Sequence, residues 1–173
     1  KLQHTLKTQP PKAVLDDLEC QRLVKVYREV NDKVIKLWEE CDRALKDMAN
    51  WSPSMKPYYL GRHKCLEVSA AGIKLPNGLY IYYPNLRTEK IDGKTKFVYK
   101  SRRGDITIWG GSVVENVVQA LARIIVGEQM LKINEKYRPV LTVHDAVVCV
   151  MLKAEIDDVM KFITDIMSTP SAL

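Results

Sequence analysis

The sequence lacks a long apolar run, a close cysteine pair and an initiator methionine, and each absence narrows the reading. No apolar stretch approaches the roughly 20 residues that a membrane-spanning helix needs. No signal-peptide pattern opens the chain. Cys20, Cys41, Cys65 and Cys149 are scattered and form no C-x-x-C pair. That spacing argues against a structural zinc site and for reduced thiols in a cytosolic setting. The first residue is Lys1, as in a fragment of a longer protein. The 173 residues suit one domain or one large piece of a bigger protein. A composition of 46% hydrophobic and 28% charged residues fits a globular chain with a core of its own. The net charge of +6 mildly favours an anionic partner such as nucleic acid. An ordinary basic soluble protein fits the same charge.

Residues 1–15 are polar, are broken by Pro10-Pro11 and read as a connector. Asp16 or Asp17 is placed to cap a helix. Leu23, Val26, Tyr27, Val30, Val34, Leu37, Trp38, Cys41, Leu45 and Met48 then keep a spacing of three and four. Asn31-Asp32 marks a joint, so the segment predicts an amphipathic helix pair. Residues 49–64, with Trp51, Pro53 and Pro57, read as an irregular crossing.

The period changes over residues 65–109. Leu75-Pro76-Asn77-Gly78-Leu79 predicts a turn, because Pro presets one dihedral and Asn-Gly supplies positive φ. Strands are expected at Leu79–Tyr83, Phe97–Tyr99 and Asp105–Trp109, with a second turn at Ile91-Asp92-Gly93-Lys94, giving an antiparallel meander. Lys94, Lys96, Lys100, Arg102 and Arg103 make its loops basic. Such a run is either a solvated hairpin edge or a contact for DNA.

Gly110-Gly111 ends the meander. Ser112 and Glu115 fit a capping box opening a helix from Val113 to about Asn134, apolar on most sides and expected to be mostly buried. Asn116, Gln119 and Arg123 form a polar stripe along it, and Glu115 lies four residues before Gln119. A polar stripe on a buried helix needs partners. Internal hydrogen bonds or the backbone of a ligand would both serve. Farther on, the apolar runs Val140–Val143 and Ala146–Leu152 flank His144 and Asp145, a hairpin pattern without the usual Asn-Gly or Asp-Gly turn. That pair is either a plain surface turn or a divalent-metal ligand with a histidine beside it. Ala154–Met167 closes the chain as an amphipathic helix on Ile156, Val159, Met160, Phe162, Ile163 and Ile166.

Four of these motifs are recognisable together. WGGSVVENVVQALAR, Trp109 to Arg123, is followed about twenty residues on by VHDAVV, Val143 to Val148. With Y-R-x-x-N and its later Trp (Tyr27, Arg28, Asn31, Trp38) and LPNGLYIYYP (Leu75 to Pro84), this resembles the family A, polymerase I-like DNA polymerases, above all their phage branch. The resemblance covers nearly the whole chain. It implies an α/β (α+β) fold: an antiparallel palm sheet backed by long helices, as the C-terminal part of a right-hand polymerase. Residues 1–64 would be the helical segment after the fingers. Residues 65–173 would be the palm portion with meander, long helix, His-Asp hairpin and closing helix.

By the same resemblance Asp145 matches the metal-binding aspartate of a palm hairpin, and His144 matches a residue near the primer terminus. Gln119 matches a glutamine that touches the duplex, and Asn116 and Arg123 share its stripe. Glu115 stands where bacterial members place Asn. The implied cofactor is Mg²⁺, two ions in the complete enzyme. The implied partners are primer–template DNA, deoxynucleoside triphosphates and the remaining N-terminal part of the polymerase, in the host cytoplasm if a phage encodes it. Three departures stand out. Ala146 replaces a common Glu, the first palm aspartate is absent, and so is the fingers motif. Two-metal chemistry needs ions roughly 3.5–4 Å apart, and one aspartate cannot hold the pair. The chain alone is therefore expected to be inactive. A non-catalytic nucleic-acid-binding module derived from a polymerase is the alternative.

Overall fold

The computed structural model describes Thr5, Lys7, Thr8 and residues 14–171. Most of the expected connector, including Pro10-Pro11, lies outside those residues. The fold is mixed α/β, with small antiparallel sheets and long helices, as the sequence predicts. Helix α1 (Asp17–Val30) starts where Asp16 accepts the Glu19 N–H at 2.7 Å, an N-cap of the expected kind. Asn31 is the joint before α2 (Asp32–Ala49), and its side-chain amide donates back to the Tyr27 carbonyl. The apolar stripe divides there. Cys41, Ala44 and Leu45 of α2 are buried, whereas Leu23, Val26, Tyr27 and Val30 of α1 are exposed.

The strands fall into three antiparallel sheets. The first holds β1 (Tyr58–Leu60), β2 (Leu66–Ser69), β3 (Gly72–Lys74) and β4 (Tyr80–Ile81), in that order. Thus the crossing expected to be irregular contributes a strand, and the strand expected at Leu79–Tyr83 is shorter. Its Asn-Gly turn forms as predicted. Gly78 has φ +83 and donates to the Leu75 carbonyl, and Asn77 accepts the Leu79 N–H. The second sheet is the meander β5 (Arg87–Ile91), β6 (Lys94–Ser101) and β7 (Gly104–Ile108). Asp92 and Gly93 both take positive φ at its first hairpin, as a two-residue turn between right-twisted strands requires. Arg87 bridges Glu89 and Asp105, and Lys96 pairs with Asp92, so part of the charge here is spent internally.

Helix α3 (Gly110–Asn134) begins before Ser112, and no side chain caps it from within its own first turn. This corrects the capping-box expectation. The cap comes from α2 instead: the Gly110 N–H donates to Asp42 Oδ1 at 2.6 Å. The two helices meet so closely that a Cβ at Gly110 would run into the Trp38 carbonyl oxygen. Trp38 and Trp109 pack edge to face beside it, centroids 5.2 Å apart. Val113, Val117 and Ile124 of α3 join α2 and the first sheet in the main core. The rest of α3 departs from expectation. Val118 is 58% and Leu131 71% exposed, so the helix is half-covered rather than mostly buried. An all-round apolar sequence shows a need for cover without saying which neighbour supplies it.

The third sheet is the hairpin β8 (Pro139–Val143) and β9 (Ala146–Cys149). A short 3₁₀ turn (Lys153–Glu155) leads into α4 (Ile156–Ser168), which begins two residues later than expected. Of its predicted face only Val159 is fully buried, and Ile156 and Met160 are exposed. Gln129 of α3 is buried against α4 and donates to the Met167 carbonyl at 3.1 Å. Tyr137 and Phe162 pack edge to face nearby, with the Lys136 ammonium over both rings.

Candidate functional site

The β8–β9 ladder pairs Thr142 with Val147 and Val143 with Ala146, which leaves His144 and Asp145 as a two-residue turn. His144 takes φ +54. A left-handed backbone is uncommon outside glycine, although His, Asn and Asp are enriched there, and such residues gather at functional sites. Both side chains are exposed, and neither has a hydrogen-bond or ion-pair partner among the described residues. The carboxylate of Asp145 therefore stands in water at no desolvation cost, open to a cation or a donor from outside.

The polar stripe divides into an anchored end and an open end. Asn116 is half-buried and donates to the Tyr83 hydroxyl at 3.2 Å, from α3 across to the segment after β4. Burial pushes the Tyr83 hydroxyl above its ordinary pKa, with the Asn116 hydrogen bond working the other way. Gln119 is exposed, and its one hydrogen bond among the described residues donates to the Glu115 carboxylate at 3.4 Å. Arg123 is exposed and has no partner among the described residues. Internal hydrogen bonds thus account for Asn116 and leave Gln119 and Arg123 open to a ligand. Strand β8 packs against α3, so the hairpin and the stripe belong to neighbouring elements. No hydrogen bond among the described residues joins the stripe to the turn.

The donor set does not suit a pair of divalent ions. Among the described residues no three His, Cys, Asp or Glu side chains come together as a metal site. Asp145 offers one carboxylate, and Ala146 beside it offers none.

Sequence reasoning passed over three residues that shape this region. Asp42 caps α3, Tyr83 anchors Asn116, and Gln129 ties α3 to α4. Only Gln129 gave a local signal, as a lone amide inside an apolar run. The other two act through contacts distant in sequence.

Comparison with known proteins adds one relative. The chain is similar to a DNA polymerase of Bacillus phage SP02. It is 29% identical over 138 residues, which cover 75% of this chain and 21% of that protein. The chain thus spans about a fifth of the polymerase that it matches. No family model matches, and no solved structure matches. The similarity supports a DNA-polymerase-related chain. No helix among the described residues is long and apolar enough to cross a membrane.

Proposed function

We propose that this chain is the C-terminal palm portion of a family A DNA polymerase of the phage branch, and that it serves primer extension as part of the longer enzyme. The observation that carries the reading is the His144-Asp145 turn: an exposed carboxylate, without a partner among the described residues, beside a histidine held at positive φ, at the tip of a hairpin next to α3. The similarity to a phage DNA polymerase supports it from outside the structure. In this reading the partners are primer–template DNA, deoxynucleoside triphosphates and the rest of the polymerase. Asp145 supplies one Mg²⁺ ligand, and His144 stands by the primer end. Gln119 and Arg123 touch the duplex backbone and sugars, where contacts position without reading sequence. Asn116 holds the stripe in place through Tyr83, and Glu115 steadies Gln119.

The second reading is a nucleic-acid-binding module derived from a polymerase. The lone carboxylate favours it for the chain by itself, since Mg²⁺ sheds water reluctantly and one carboxylate holds it poorly. Primer extension in Mg²⁺ separates the two. The 173-residue chain should extend no primer. The longer polymerase should extend one, and Asp145→Ala should slow it by at least about 10²–10³-fold, the scale of losing one electrostatic stabiliser of a transition state. Near-normal extension by the Asp145→Ala enzyme would leave the module reading standing.

A further inference from the structure

The sheet of β1–β4 turns one face to the core and the other outward, and its register sorts the residues. Tyr59 pairs with Glu67, Glu67 with Lys74, and Lys74 with Tyr80. Directly paired residues share a face, so these four side chains form one row across the sheet. The alternate positions Leu60, Leu66, Val68 and Ile73 are buried, which makes the row the outward one. Tyr82 lies two residues beyond Tyr80, and its ring stacks on the Tyr80 ring, centroids 5.7 Å apart and 29° between planes. Tyr59 is 59% and Tyr82 61% exposed.

Beside Tyr82 a cavity of about 380 Å³ opens, with the β2–β3 turn at Ala70-Ala71 and Asn85 among its walls. Gly72 also lines it, at φ +124, where a Cβ would strike the Ile81 carbonyl oxygen, so bare backbone is required there. Two lysines lie near this end of the sheet. Lys74 sits opposite Tyr80. The Lys100 backbone N–H donates to the Pro84 carbonyl at 2.8 Å, two residues after Tyr82, and Lys100 is paired across the meander with Asp105, whose carboxylate Arg87 holds. Neither lysine has an ion-pair partner among the described residues. The acid of the row, Glu67, is set apart from the tyrosine pair by Lys74.

We infer that Tyr82, backed by Tyr80, is a stacking platform for an unpaired base of single-stranded DNA, with Lys74 and Lys100 meeting the phosphates on either side. The choice of DNA rests on the polymerase reading above. The chemistry is independent of it. A flat exposed ring with a second ring behind it binds any base through its π-face, and unpaired lysines supply the salt-sensitive attraction. The cavity beside the ring gives a displaced base somewhere to lie, and the backbone along it offers polar groups to its edge. Sequence preference is therefore weak.

The test is fluorescence anisotropy of a short labelled oligothymidylate with the 173-residue chain at low salt. Tyr82→Ala should weaken binding by about 5- to 100-fold, the range for losing one base–aromatic stack. Tyr82→Phe should bind like the parent, and Glu67→Gln should bind more tightly. Thermal midpoints should stay within about 8 °C of the parent, since Tyr82 and Glu67 lie on the outward face and Tyr82→Ala gives up only its stack on Tyr80. The inference is overturned if the parent does not bind the strand, if Tyr82→Ala binds like the parent, or if Tyr82→Phe loses as much as Tyr82→Ala. An enzyme whose primer extension needs Asp145, while Tyr82→Ala holds the strand as well as the parent, would sink this inference and spare the polymerase reading.

Discussion

The core beneath α2 and the β8–β9 hairpin use the same residue types in opposite surroundings. Val68, Ile73, Val113 and Leu45 vanish from solvent where α2, the first sheet and α3 converge. Val140, Leu141, Val143, Val148 and Val150 stay exposed on or beside the hairpin, which forms a sheet by itself. The contrast teaches that burial is decided by the number of elements reaching a position rather than by side-chain type. Val113 sits in one core cluster with residues of α2 and the first sheet, whereas β8 packs mainly on β9 and touches α3. A two-stranded hairpin is marginal by itself, and an apolar surface of this kind marks a place for further protein or ligand. Stability is concentrated in the core, and the candidate chemistry sits at the edge.

The largest effect should therefore separate the two regions. Leu45 is fully buried and Val148 is 40% exposed. Leu45→Ala should cost about 2–5 kcal/mol in urea unfolding, while Val148→Ala should stay within about 0.5 kcal/mol, like a surface change. Equal losses would mean that the hairpin is as well packed as the core, and the contrast would fail. Next in size is the joint that ties α3 to the core. Gly110→Ala forces a methyl onto the Trp38 carbonyl and should cost about 1–3 kcal/mol in the same assay. A neutral result would show that α2 and α3 can part without penalty.

A smaller loss should follow removal of the cap across that joint. Asp42→Ala leaves the Gly110 N–H without its acceptor and should cost about 1 kcal/mol, with Asp42→Asn retaining most of the stability. Ser112→Ala should be almost silent by comparison, because Ser112 does not cap the helix. The smallest effect belongs to the turn. His144→Gly relieves a left-handed strain of about 1 kcal/mol, and the added freedom of the unfolded chain offsets about half of it. Amide exchange at Ala146, whose N–H closes the two-residue turn, should therefore slow only slightly. Marked acceleration would show that the imidazole holds the hairpin together.

These cases also mark what the sequence could disclose. Local chemistry was legible. Asp16 caps, Asn31 joins two helices, and Asn77-Gly78 and Asp92-Gly93 turn, because each acts within a few residues of itself. The His144-Asp145 turn was legible through its flanking apolar runs, even without ordinary turn residues. Long-range pairing was not. The split of the strands into separate sheets depends on which edges meet. The cap from Asp42 arrives across 68 positions of sequence, while the plausible local box at Ser112 and Glu115 stays unused. Burial of α3 and α4 was overestimated for the same reason, since periodicity gives a face and leaves its partner unnamed. At the candidate site the residue types were readable. That Asn116 is anchored while Gln119 and Arg123 are open depends on Tyr83, which only the fold brings near.

The central claim is that Asp145 is one part of a metal site that this chain does not complete. Titration of the 173-residue chain with Mn²⁺, read by paramagnetic broadening of its amide resonances, tests it most directly. The account predicts broadening centred on His144, Asp145 and Ala146 that is abolished in Asp145→Ala and does not saturate below about 1 mM, as befits one carboxylate. Saturable binding at micromolar Mn²⁺, or broadening that leaves the turn untouched, would contradict it.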